Sequence, residues 1–212
     1  MNDVQHSTTL SSAKEIAYAD ERRRREFFFK VLNVGGFGFL GITAVRFSDA
    51  LLTVWFPVQI VLAWLAADLL SGFFHWFIER ALSRFSSFDW LVTPFLEHHV
   101  KSTLEDETWY ATLSHIGILA FAFLSVLYVF QMPTLCVGFW IWLVAISYMN
   151  PAIHRLCHRR LADRPRWFTK IQRWGLVLTA EHHAVHHGQL DRNYCLVSGH
   201  ADLLLNRLTV RR

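Results

Sequence analysis

Residues 51–77 read LLTVWFPVQIVLAWLAADLLSGFFHWF, with one acid, Asp68, and no Lys or Arg. About 20 apolar residues in a helix cross a hydrocarbon core, so this stretch predicts a membrane-spanning helix. Three further stretches have similar character. Phe27 to Val45 carries Lys30, near enough to its end to snorkel, and Gly35, Gly36, Gly38 and Gly41, small residues that suit close helix packing in lipid. Leu113 to Phe130 and Thr134 to Met149 are joined only by Gln131-Met132-Pro133, which makes them an antiparallel hairpin. Asn150-Pro151 is expected to break or kink the last of these helices.

The composition agrees. Of the 212 residues, 53% are apolar and 18% charged, against about 25% charged in a soluble domain. This excludes a disordered chain and argues against an ordinary cytosolic enzyme. The net charge of +4 does not indicate nucleic acid, because the basic residues flank apolar runs instead of lining a soluble face. Arg22 to Arg25 read as an anchor to anionic headgroups. Cys136, Cys157 and Cys195 form no CxxC pair, so neither a disulfide framework nor a thiolate zinc site is expected, and a reducing compartment is the default. The N-terminal stretch is polar through residue 26 and lacks the pattern of a secretory signal.

The expected fold class is all-α, a four-transmembrane-helix bundle with a cytoplasmic-side histidine-rich cap and interfacial helices. A polar tail, 1–26, precedes a single membrane domain, 27–212. Its spans cover about 27–45, 51–77, 113–130 and 134–149, and its cap comprises 78–112 and 150–212. An even number of crossings returns both ends to one side. Of 21 Lys and Arg, only Arg46 falls on the other side, which the positive-inside bias reads as N-in, C-in. Pro165-Arg166-Trp167-Phe168, with Ile171, Trp174, Leu176 and Leu178, suggests amphipathic helices at the interface. Trp76, Trp109, Trp140, Trp142, Trp167 and Trp174 read as interfacial belt residues, and Gly72 as a packing position.

The chain has 12 histidines. Nine form four groups, all on the cytoplasmic side of this topology: His75; His98 and His99; His154 and His158; His182, His183, His186 and His187. Residues at i and i+4 share a helix face, so His154/His158, His182/His186 and His183/His187 can each aim two rings at one metal region. His75 shares a stripe with Glu79 and Asp68. An acid within the span is costly without a partner, so Asp68 is expected to support the ligands or to be hydrogen-bonded inside the bundle. Zinc is satisfied by three or four ligands. So many imidazoles with a carboxylate suit two iron ions that keep positions open for O2. His6 reads as solvated, His115 as a cap or headgroup contact, and His200 as structural.

In order, Ala67-Asp68-Leu69-Leu70-Ser71-Gly72-Phe73-Phe74-His75-Trp76, Phe95-Leu96-Glu97-His98-His99, Asn150-Pro151-Ala152-Ile153-His154 with His158, Pro165-Arg166-Trp167 with Gln172, and Glu181 to His187 through Tyr194-Cys195 to Gly199 resemble the plasmanylethanolamine desaturase family. That family includes the bacterial CarF proteins and a plant plastid palmitate desaturase. The family's HWxxD ends here in Glu79, its HHxxP reads His98-His99-Val100-Lys101-Ser102, and its HKW reads His154-Arg155-Leu156.

The resemblance implies a membrane di-iron desaturase using O2 and an external electron donor of ferredoxin or cytochrome b5 type. It would act on a membrane phospholipid, either forming the vinyl ether of a plasmalogen or placing a double bond in an acyl chain. The nine histidines and Glu79 would be the metal residues, with Glu79 and Asp68 the catalytic carboxylates. A lipid or sterol hydroxylase with the same metal centre is the nearby alternative, and a membrane metal carrier or regulator the non-enzyme one. The expected location is a bacterial inner membrane or the endoplasmic reticulum.

Overall fold

The computed structural model describes residues 20, 23–24, 27–28, 30–100, 116–130 and 134–209, and among them every regular element is a helix. In chain order these are α1 (30–46), α2 (Ser48–Leu51), α3 (Phe56–Trp76), α4 (Asp89–Val100), α5 (Ile116–Phe130), α6 (Thr134–His158), α7 (Arg166–Arg173), α8 (Ala180–Gly188) and α9 (Asp202–Thr209). Most of the polar tail, the connection 131–133, His6, Trp109 and His115 lie outside the described residues.

α3 is the central element. Its buried positions are Gln59, Ala63, Ala67, Asp68, Gly72 and His75, whereas Val58, Val61, Leu62, Leu65, Leu69 and Phe73 face outward. A soluble helix buries its large apolar residues, so this reversal marks a helix whose outer face meets hydrocarbon. The helical run from Phe56 to Arg84 and the stretch Cys136–His158 are both long and apolar enough to cross a membrane. Only 28% and 39% of their most apolar windows are buried, unlike the core helices of a soluble protein. α6 packs along α3 through Ala63, Ala67 and Leu143. A second apolar cluster joins Leu40, Ala50, Leu124, Leu127, Val137, Ile141 and Val144 of α1, α2, α5 and α6, with Phe123 on Trp140 at 5.2 Å between ring centroids.

Two boundaries differ from the sequence reading. The second apolar stretch does not start at Leu51: α2 ends there, a turn follows, and α3 begins at Phe56 with Pro57 in its first turn, where a missing N–H costs nothing. The Asn150-Pro151 break is absent, and α6 continues to His158 with Pro151 inside it. Proline removes only one ladder bond, to the Ser147 carbonyl; the packing of Ile153 and Cys157 against Phe168, Val177 and Leu178 keeps the last turns in place. The described part of α5 has 15 residues, or about 22 Å at the helical rise.

The stretch 176–199 is fastened to α3 and the turn after it by side chains at helical spacing. The non-helical segment 190–199 runs back along α3. Arg80 Nη2 donates to Leu190 O (2.8 Å), the Leu196 N–H to Ser71 Oγ (2.9 Å), and Trp64 Nε1 to Leu176 O (2.9 Å). Gly72 is where the segment comes closest: a Cβ there would meet Cys195 Sγ at 2.5 Å and Leu205 Cδ1 at 2.6 Å. The packing role read for this glycine therefore falls to the segment and α9.

Candidate metal centre

Four helices and one π-helical turn bring the chemistry-bearing side chains together. α3 supplies His75, and the turn Phe77–Ala81 that continues it supplies Glu79. Such widened turns recur at functional sites. α4 supplies His98 and His99, α6 supplies His154 and His158 one turn apart, and α8 supplies His183, His186 and His187. Two groups result, each with ligand atoms within 4.8 Å of one another: His98, His154, His158, His183 and His187; and His75, Glu79, His99 and His186. Adjacent residues on α4 divide between them, with the His98 and His99 ring centroids 4.1 Å apart.

In the first group the Nε2 atoms of His154, His158 and His183 form a triangle with sides of 3.2, 3.0 and 2.9 Å, and His187 Nε2 lies 3.0 Å from His183 Nε2. Each ring nitrogen has one in-plane site, holding a proton or a lone pair. Three converging nitrogens therefore cannot all pair with one another. One cation accepting all the lone pairs resolves the conflict. Neighbouring ligands at right angles around an ion with bonds of about 2.1 Å sit about 3.0 Å apart, and the observed separations match. Burial, reinforced by nearby imidazoles, lowers His98 to about 2 and His187 to about 3, and His183 well below its ordinary value, which keeps these rings neutral donors.

The second group is built around a carboxylate. Glu79 Oε1 lies 2.8 Å from His75 Nε2 and 2.5 Å from His99 Nε2, and Oε2 lies 3.5 Å from His186 Nε2. The far side of two rings is fixed by backbone: His75 Nδ1 donates to Tyr194 O (3.0 Å) and His186 Nδ1 to Arg192 O (2.7 Å). A carbonyl only accepts, so Nδ1 carries a proton, and a ring without a second proton turns its Nε2 lone pair toward Glu79. Lone pairs facing carboxylate oxygens require a cation between them or a protonated ring. Both groups thus fit a first-row metal ion, and hydrogen-bonding the other ring nitrogen is the usual device for aiming a histidine ligand.

Comparison with known proteins gives the family. The lipid desaturase domain family matches residues 64–212, which contain every histidine of both groups. The chain belongs to this family. It is 30% identical over 171 residues to a probable fatty acid desaturase of Acanthamoeba polyphaga mimivirus, covering 73% of this chain and 78% of the viral one. It is 27% identical over 158 residues to plasmanylethanolamine desaturase 1 of Mus musculus, covering 64% of this chain. The match spans about half of the mouse enzyme, 54%. No solved structure matches the chain significantly. The protein is a lipid desaturase, hence an oxidoreductase, and its apolar helices make it a membrane protein.

Two candidate residues of this desaturase stand elsewhere. His182 belongs to neither group: its Nε2 bonds Asp202 Oδ2 at 2.8 Å. On α8, His183, His186 and His187 span about 100° of the helix circumference, and His182 lies about 40° beyond that arc. Asp68 also lies in neither group. Its Oδ1 accepts from the N–H groups of Val197 (3.2 Å), Ser198 (2.7 Å) and Gly199 (3.1 Å), and its Oδ2 from Ala201 (2.9 Å). The buried acid is satisfied by backbone amides, the second of the two outcomes its cost in the span implied. His200, read as structural, packs on Trp64 with ring centroids 5.2 Å apart.

The sequence reading did not find the backbone of 192–194. Tyr194 has a fully buried ring 4.8 Å from that of His186, and its hydroxyl donates to Leu190 O while accepting from Arg80 Nε. A carbonyl leaves no mark on residue type, although Tyr194 itself falls within a quoted motif.

Proposed function

We propose that this desaturase holds two iron ions, one in each group, and uses O2 to remove two hydrogens from a chain of a membrane phospholipid, forming the vinyl ether of a plasmalogen. The observation that carries this reading is the adjacency of two donor groups, eight imidazoles and one carboxylate, each with nitrogens converging as a metal requires. The relative named for plasmanylethanolamine supports the ether-lipid substrate. Iron with O2 would supply the oxidant for an unactivated C–H bond, which no side chain provides. Taking two hydrogens while reducing O2 to two waters consumes two further electrons, so a ferredoxin or cytochrome b5 type donor completes the balance.

The protein's own residues orient and exclude. Glu79 draws His75, His99 and His186 into one group. Burial of His75, His154, His183 and His186 shields the centre from water. Phe73 and Phe77, with stacked rings 6.0 Å apart on the exposed side of α3, offer an apolar surface beside His75 for the lipid chain. Four crossings, including 27–45 and 113–130, with the cap and both ends on the cytoplasmic side of a bacterial inner membrane or endoplasmic reticulum, would set the groups at headgroup depth.

Lipid mass spectrometry of a host with and without the chain tests this. Acid-labile vinyl ethers two mass units below their plasmanyl precursors are expected. A double bond confined to acyl chains, or a gain of oxygen, would contradict the ether-lipid assignment.

A further inference from the structure

Both carbonyls that aim rings of the Glu79 group flank one unusual residue. Asn193 has φ of 59°, in the left-handed region, which costs least for Gly and then for Asn and Asp. This rotation sets the Arg192–Asn193 peptide plane relative to Tyr194. It therefore decides whether Arg192 O can reach His186 Nδ1 (2.7 Å) while Tyr194 O reaches His75 Nδ1 (3.0 Å). The residue is buried and held from two helices. Its N–H donates to Asn206 Oδ1 of α9 (2.9 Å), Asn206 Nδ2 donates to its Oδ1 (2.8 Å), and its own Nδ2 donates to His182 O of α8 (3.2 Å). The reciprocal pair leaves the two side chains one register.

We propose that Asn193, locked by Asn206, is a positioning residue for the Glu79 metal group: its left-handed backbone presents the carbonyls of Arg192 and Tyr194, on either side of it, which fix the tautomer and aim of His186 and His75. The inference rests on reading the two groups as metal sites. The five-histidine group takes no ring from these carbonyls, so the effect belongs to one ion of the two.

The test is a titration of the iron-free, full-length protein in detergent with Co2+, read by equilibrium dialysis and by the visible absorption bands of bound cobalt. The wild-type chain is expected to take up about two ions. Asn193→Ala should weaken one ion by about 10–100-fold and leave the other unchanged, the size of loss typical when a ligand's outer partner is removed. Asn193→Gly, which adopts the same φ freely, should recover most of that loss. Asn206→Ala should weaken the same ion. If Asn193→Ala does not fold, Asn206→Ala and Asn193→Gly decide. Wild-type affinity for both ions in the variants, equal weakening of both ions, or no recovery with glycine would overturn the proposal while sparing the metal reading. A wild-type chain that takes up no cobalt would overturn both.

Discussion

His182 and His186 differ by one turn of α8 and should differ completely in consequence. His186 faces Glu79, and His154 sits in the nitrogen triangle. Replacing either by alanine should lower lipid desaturation by more than the about 10–100-fold that outer partners cost, with a matching loss of bound iron in metal analysis of the purified variants. His182→Gln should keep its iron and most of its activity. His182→Ala, which removes the donor to Asp202, should lower thermal stability by about 1–3 kcal/mol through loss of a hydrogen bond to a carboxylate, read as an earlier unfolding midpoint in detergent. The repeating histidines made four groups legible in the sequence, but the helical arc that excludes His182 depends on where α8 docks, which residue types do not encode. Acid dependence is also set here. His98, His183 and His187 are held neutral in the folded chain, whereas in the unfolded chain they titrate near 6.5. Below about pH 6.5 the unfolded chain binds more protons, so stability of the metal-free protein should fall as pH drops from there toward 4. Unfolding midpoints across that range check the sign; a midpoint that rises on acidification would contradict it.

At the scale of the element, α3 is both a lipid-facing helix and the rail on which the cap is mounted. Asp68 is bonded to amides 129 to 133 residues away, so Asp68→Ala leaves four N–H groups without their acceptor. A loss of about 3 kcal/mol or more is expected, seen as a lower unfolding midpoint and poor yield. Gly72→Val should destabilise by about 1–3 kcal/mol through overpacking against Cys195 and Leu205; both measurements belong on the iron-free protein, where metal binding cannot mask them. The sequence showed that Asp68 needs a partner, yet its partners are backbone groups and could not be read from side chains. It also suggested a break or kink at Asn150-Pro151, and of these the break gives way to packing. The turns beyond that proline carry Ile153 and Cys157 into the cap core and deliver His154 and His158 to the site.

For the whole molecule, the outward aliphatic face of α3 ends beside the histidine groups, so the proposed centre would lie next to the lipid phase. Cysteine-labelling reporters introduced near Arg46 and near Arg166 should react from opposite sides of a sealed vesicle; reaction of both from one side would contradict the proposed crossings. The central claim is that two neighbouring donor groups each hold an iron ion. Elemental analysis of the protein purified in detergent from iron-supplied cells addresses it most directly. About two irons per chain are expected; a chain that carries no iron, or only a single zinc, would contradict the account.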